Sequence, residues 1–180
     1  MPSEIHILNG SSLRERDLRG MAHVLESIFG VPMLLRSADL DLDSAYDASR
    51  RQSNSTALLA QVLQGKEDPS KKRIALVDVD LFIPVLTFVF GEAQLNGTAA
   101  IVSTHRLSNQ FYGLPKNHNL MLERLEKEIV HELGHTFGLY HCHQFECVMR
   151  SSTYVEEIDM KRVYPCEGCA DAISGTVRSF

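Results

Sequence analysis

A single α/β domain, with helices packed on a mixed sheet, is what this sequence predicts, and three observations carry that expectation. Apolar, strand-like runs alternate with stretches of helical periodicity from Glu4 to Phe137. The 180 residues, 44% hydrophobic and 23% charged, suffice for one well-formed core that a cleft can divide into two subdomains. No internal repeat or low-complexity linker interrupts the chain.

Residues 4–8 read as a buried strand. Leu18, Ala22, Leu25 and Phe29 then recur at steps of three and four, the apolar face of a helix that Gly30 ends. A second strand is expected at 31–36 and a second helix at 55–64, with Ser53 or Asn54 to cap it. Lys71, Lys72 and Arg73 read as a solvated loop before a strand at 74–79. Further strands are expected at 85–90 and 99–104, with Asn96-Gly97 supplying a turn between them. A long helix follows at 119–137, where Leu122, Leu125, Ile129, Leu133 and Phe137 form one apolar stripe uninterrupted by proline, and an irregular C-terminal part is expected after it.

The end of that helix carries the chemistry. Residues 131–141 read His-Glu-Leu-Gly-His-Thr-Phe-Gly-Leu-Tyr-His. On a helix His131 and His135 lie one turn apart on the same face, so both imidazoles reach one metal ion. Gly138 can adopt the left-handed conformation that turns the chain sharply and brings round His141 as third ligand. Three neutral imidazoles leave zinc its full charge and an open position, where a water's pKa falls from about 15.7 toward about 7. Glu132, about 100° further round the helix than His131, is placed as general base rather than ligand. The chemistry this implies is hydrolysis of a polarised carbonyl, most readily a peptide bond. A bare His-Glu-x-x-His arises by chance in unrelated helices; the glycine and third histidine at these spacings are what make the pattern specific. A rival arrangement takes its third ligand from a downstream glutamate, here Glu156 or Glu157, which the nearer His141 makes unnecessary.

The four cysteines all follow that motif within 28 residues, as Cys142-x-x-x-x-Cys147 and Cys166-x-x-Cys169. Such spacings let turns aim four thiolates at one structural zinc, so two zinc ions per chain are expected, one catalytic and one structural. Two disulfides or four unremarkable thiols are the alternatives. No secretory leader is visible at the N-terminus, which favours a cytoplasmic, reducing location. The apolar stretch 81–90 is too short for a membrane span and contains Pro84. A net charge of −5 argues against broad nucleic-acid binding. Peptide or protein substrates are the expected partners, and the oligomeric state is not legible.

Taken together, these motifs resemble the archaemetzincin family, in which the histidine motif runs almost directly into a zinc-binding four-cysteine segment. Here the pattern is His131-Glu132-x-x-His135-x-x-Gly138-x-x-His141-Cys142, then Cys147-x-Met149, then Cys166-x-x-Cys169. Phe88-Val89-Phe90-Gly91-Glu92-Ala93, and Ala48-Ser49-Arg50-Arg51-Gln52 followed by Asn54-Ser55, are similar to family segments, so the likeness covers residues 45–170. The sixteen residues between Met149 and Cys166 are one fewer than is usual in the family. The resemblance implies a metzincin-like mixed twisted sheet with backing helices, an active-site helix and a short zinc-stapled C-terminal subdomain. The division would be about 1–138 and 139–180, with Met149 in a turn beneath the histidines; a plain core methionine is the alternative. Some metzincins place a tyrosine two residues after this methionine as a further ligand; the residue here is Ser151. Tyr140 and Tyr154 are therefore weak candidates for transition-state stabilisation.

Smaller features have ordinary readings. His105, His118 and His143 suit auxiliary-ligand or acid–base roles, but solvent-facing or hydrogen-bonded structural histidines are the expectation. Arg50 and Arg51 suit either a substrate carboxylate or a salt bridge. Residues 88–92 suit either a core strand or an edge along which an extended substrate adds. The competing function classes are a catalytically weak zinc protein that binds peptides in the same cleft, and a zinc deaminase. Pro165-Cys166-x-x-Cys169 matches half of the deaminase signature, but neither the His-x-Glu nor the Cys-x-Glu it also needs occurs in the sequence.

Overall fold

The computed structural model describes residues 2–64, 68 and 70–178. Its main sheet contains β1 (Glu4–Asn9), β2 (Met33–Ser37), β5 (Lys71–Val77), β7 (Gly91–Ala93) and β8 (Ala99–Ser103), in the order β2-β1-β5-β8-β7. The first four strands are parallel, and β7 runs antiparallel to β8 at the edge. A small second sheet joins β3 (Tyr46–Asp47), β4 (Gln52–Asn54) and β6 (Leu81–Phe82).

Strand periodicity sorts the core into two layers. Ile74, Leu76, Ala100 and Val102 face α1 (Glu15–Phe29) and α3 (His118–Thr136), where they meet Leu18, Leu25, Phe29, Leu125, Ile129 and Leu133. Ala75, Val77, Ala99 and Ile101 face the other way, onto Leu58, Leu59 and Val62 of α2 (Ser55–Leu63). A sheet covered on both faces explains why β8 is buried at every position instead of alternating.

The helix ends follow the sequence signals. Gly30, at φ 68°, closes α1 with its N–H on the Glu26 carbonyl. Met21 rather than Ala22 completes that helix's buried stripe. Asn54 caps α2 through the Ala57 N–H, and Asn117 caps α3 through the Leu120 N–H.

Three expectations need correction. Lys71, Lys72 and Arg73 do not form a solvated loop; they open β5, paired with Glu4, Ile5 and His6. Lys72 is buried, and its ammonium donates to the carbonyls of Gly97 and Thr136, each at 2.8 Å, over the Phe137 ring. A basic run read as hydrophilic thus supplies the cation at the end of α3. Residues 85–90 do not form a strand. The chain turns after Pro84, with Leu86 N–H on the Ile83 carbonyl, and leaves Val85 and Leu86 exposed. The region after the histidines is not wholly irregular: it contains α4 (Val155–Asp159) and α5 (Glu167–Arg178).

Candidate active site and metal centres

α3 delivers two of the three histidines. The rings of His131 and His135 lie 4.7 Å apart with their Nε2 atoms at 3.2 Å. Gly138, at φ 88°, turns the chain and returns the His141 ring to 5.3 Å from His131 and 5.0 Å from His135. One nitrogen from each lies within 4.8 Å of the other two. His131 Nδ1 donates to the Val148 carbonyl at 2.8 Å and His135 Nδ1 to the Leu139 carbonyl at 2.7 Å. A carbonyl only accepts, so each Nδ1 holds the ring proton and each Nε2 presents a lone pair. Burial lowers the pKa of all three imidazoles, which favours the neutral form a metal requires. Two lone pairs facing each other at 3.2 Å suit a shared cation, so these residues fit a metal ion.

Beneath them lies Met149. A Cβ on Gly134 would stand 2.9 Å from Met149 Cε, closer still to its sulfur, so the glycine lets the methionine pass directly under the histidine turn. Met149 also accepts the Cys142 N–H at its carbonyl, 2.9 Å, which joins the histidine and cysteine segments.

Glu132 is buried beside the imidazoles, against Gly91 of the edge strand. A Cβ on Gly91 would meet Glu132 Cγ at 2.7 Å and Oε1 at 2.9 Å. Burial, then the nearby carboxylates of Glu128 and Glu92, push its pKa well above the usual carboxylate range. The cleft it lines has a volume of about 250 Å³, with residues 86–91 on one side and Ser151, Ser152 and Thr153 on the other. Glu157 accepts the backbone N–H groups of Thr153 (2.6 Å) and Tyr154 (3.0 Å), fixing that second wall. Neither it nor Glu156 joins the histidine cluster.

The four cysteines converge likewise, with their sulfurs within 4.8 Å of one another and none in a disulfide. Cys142 and Cys166 sulfurs are 3.8 Å apart, and the Cys166 N–H points at the Cys147 sulfur at 3.3 Å. Burial raises the Cys147 and Cys169 thiol pKa values, while the Cys169 backbone N–H lowers that of Cys166.

Residues 12–175 match the model for peptidase family M54. The chain belongs to peptidase family M54. This M54 chain is accordingly a zinc metallopeptidase acting on peptides. It is 42% identical to an archaemetzincin of Thermococcus kodakarensis over 127 residues, 70% of this chain and 68% of that one. Against the archaemetzincin of Archaeoglobus fulgidus the identity is 37% over 163 residues, 90% and 94% of the two chains. The crystal structure of archaemetzincin from Methanopyrus kandleri superposes with a TM-score of 0.85 at 30% identity, covering 98% of this chain and 96% of that one. A zinc-dependent peptidase from Methanocorpusculum labreanum superposes with a TM-score of 0.82 at 27% identity, covering 94% and 99%.

Other candidates of this M54 peptidase lie elsewhere or are engaged. Arg50 donates to the Leu86 carbonyl at 2.7 Å and stacks on Phe82, so it holds the 83–88 loop; Arg51 is exposed at φ 57°. His105 and His118 line a separate cavity of about 810 Å³ at the C-terminal ends of the parallel strands, where His118 pairs with Asp17 at 3.3 Å. His143 is exposed. Tyr140 and Tyr154 are exposed and outside the cleft lining. Sequence reasoning missed Gly91, Glu128, Lys161 and Lys72. Of these only Glu128 had a signal, its place one helical turn before Glu132. Among the described residues no helix is long and apolar enough to cross a membrane.

Proposed function

We propose that His131, His135 and His141 hold the catalytic zinc and that Glu132 is the general base for peptide-bond hydrolysis. The observation that carries this reading is the paired Nδ1–carbonyl bonding of His131 and His135, which frees two Nε2 atoms toward one point. Zinc, when bound, supplies Lewis acidity that polarises a carbonyl and makes water more acidic. Glu132 removes a proton from the attacking water and returns it to the departing amine nitrogen as the C–N bond breaks. Its raised proton affinity suits a group that must both accept and donate near neutrality. The edge strand β7 and the preceding 88–90 segment give an extended peptide a backbone to align with. The Cys142, Cys147, Cys166 and Cys169 cluster holds a second, structural zinc that fastens a C-terminal subdomain, 139–180, to the N-terminal 1–138 across the cleft. Four unpaired thiols fit a reducing, cytoplasmic location.

The deciding experiment joins metal analysis to peptide cleavage. Wild type should bind two zinc ions and cleave a diverse peptide library. Glu132→Ala should keep both ions and lose at least about a hundredfold in rate, while His135→Ala should lose one ion and turnover together. Equal cleavage by Glu132→Ala would remove the base assignment. A zinc-loaded wild type that cleaves nothing would favour a peptide-binding protein.

A further inference from the structure

Among the described residues three buried side-chain polar atoms have no hydrogen-bond partner: Glu128 Oε1, Ser152 Oγ and Lys161 Nζ. They gather in one place. Glu128 and Ser152 line the cleft beside His131 and Glu132, and Lys161 Nζ stands 3.9 Å from Glu128 Oε1, beyond hydrogen-bond reach. Glu128 and Lys161 form an ion pair too long for a hydrogen bond, so the carboxylate in the cleft wall keeps acceptor capacity that a donor from a ligand can fill. We propose that Glu128 makes the cleft selective for a basic side chain, lysine or arginine, at one of the two substrate residues flanking the scissile bond. The inference rests on the peptidase reading above.

Position and chemistry both support it. Glu128 precedes Glu132 by one helical turn and, with its side chain 4% exposed, lines the same cleft of about 250 Å³, where a substrate cation beside the reacting carbonyl would meet it. Leu86, Phe88 and Phe90 line the same cleft and can cover an aliphatic stem, leaving a terminal ammonium or guanidinium to meet the carboxylate. Lys161 does not pre-empt the site. Its side chain is 1% exposed and does not line the cleft, and from 3.9 Å it offsets the burial of that charge. A carboxylate has about four acceptor positions, enough to serve a second cation. An acidic side chain would face both Glu128 and Glu132, and an apolar one would leave Glu128 buried without a donor.

The test uses the zinc-loaded full chain and peptide hydroxamates, whose chelating group anchors them independently of turnover. Each carries lysine, arginine, norleucine or glutamate on one side of the chelator. At one of the two positions lysine and arginine should bind at least about tenfold more tightly than norleucine, the size expected for hydrogen bonds to a charged group, with glutamate weakest. Glu128→Gln should bring the lysine-to-norleucine ratio to about one while zinc content and norleucine affinity persist. Should Glu128→Gln fail to fold, Lys161→Met, which leaves the Glu128 charge to the ligand alone, should raise the ratio. Norleucine binding as well as lysine at both positions overturns the proposal. Failure of every hydroxamate to bind zinc-loaded protein removes this inference and the zinc-site reading together. Tight, lysine-selective binding without peptide cleavage removes only the catalytic reading.

Discussion

Gly91→Ala should cripple hydrolysis while both ligand clusters stay assembled. The added Cβ would lie 2.6 Å from the Ile101 carbonyl oxygen and 2.7 Å from Glu132 Cγ. Ile101 is a ladder residue in β8, paired with Ala75 on one side and Glu92 on the other, so its carbonyl has little room to retreat. Residue 91 must therefore back away from β8, and the Glu132 side chain must give way as well. Restoring an ordinary contact of 3.4 Å requires about 0.7 Å of displacement at Cγ, which swings the carboxylate out of line. A misplacement of about 1 Å can cost roughly a hundredfold in rate, so kcat should fall about 30- to 100-fold with KM little changed. The crowding itself costs about 1–3 kcal/mol, a fall in Tm of roughly 2–12 °C for a domain of this size. Zinc content, a fluorogenic peptide assay and a thermal melt on one preparation give all three quantities. A kcat within about twofold of wild type would refute the idea that a bare backbone at residue 91 seats Glu132. Loss of zinc in step with activity would move the fault to the histidines.

Two further outcomes follow from the ends of the site. Cys166→Ser should lower zinc content by one ion per chain and melt at lower temperature, because metal binding at such a cluster is coupled to local folding; unchanged zinc and Tm would mean uninvolved thiols. Lys72→Met should cost about 2 kcal/mol, roughly 4–8 °C in Tm, by stranding the Gly97 and Thr136 carbonyls. Burial lowers the Lys72 pKa to about 8 from its ordinary 10.5, so between these values the unfolded chain binds more protons than the folded one and this lysine adds stability as pH rises. The stability gap between wild type and Lys72→Met should therefore widen from pH 8 to 10.5 in urea melts, and a gap that narrows would reverse the assignment.

Much of this architecture was legible because its signals are local. A glycine at φ 68° ends α1, Asn54 caps α2, and the i, i+4 spacing of His131 and His135 needs only a helix to become a pair of adjacent imidazoles. What escaped depends on contacts between distant segments. Lys72 looks like part of a basic surface run until β5 is paired with β1 and the end of α3 packs on it. Residues 85–90 have strand-like composition, yet strand formation needs a partner edge, and here Arg50 and Arg106 hold that segment as a loop through the Leu86 carbonyl and the Phe88 ring. The bareness of Gly91 acquires meaning only when Glu132 arrives opposite it. The part after the histidines read as irregular because α4 is a turn and a half, shorter than any reliable periodicity, and α5 carries two glycines, Gly168 and Gly175, that weaken a helical signal.

One consequence joins the fold to the chemistry. The second half of α3 buries Glu128, His131 and Glu132 together, two acids and an imidazole on a helix whose other face is the Leu125, Ile129 and Leu133 core. Each of these polar groups is costly to desolvate, so the helix must be held from elsewhere. Arg124 fastens its middle to α4 through two 2.7 Å bonds to Asp159 and a third to the Leu107 carbonyl at 2.9 Å. Lys72 ties down its last turn, Phe137 stacks on Phe29 at 5.0 Å, and the Asn96 N–H takes up the His135 carbonyl at 2.8 Å. These supports flank the reactive stretch and leave it clear. A site whose residues work against folding is thereby kept rigid by neighbours that take no part in its chemistry, which is why substitutions at Lys72 and Gly91 should separate: the first lowers stability with the chemistry intact, the second lowers the rate with the zinc intact.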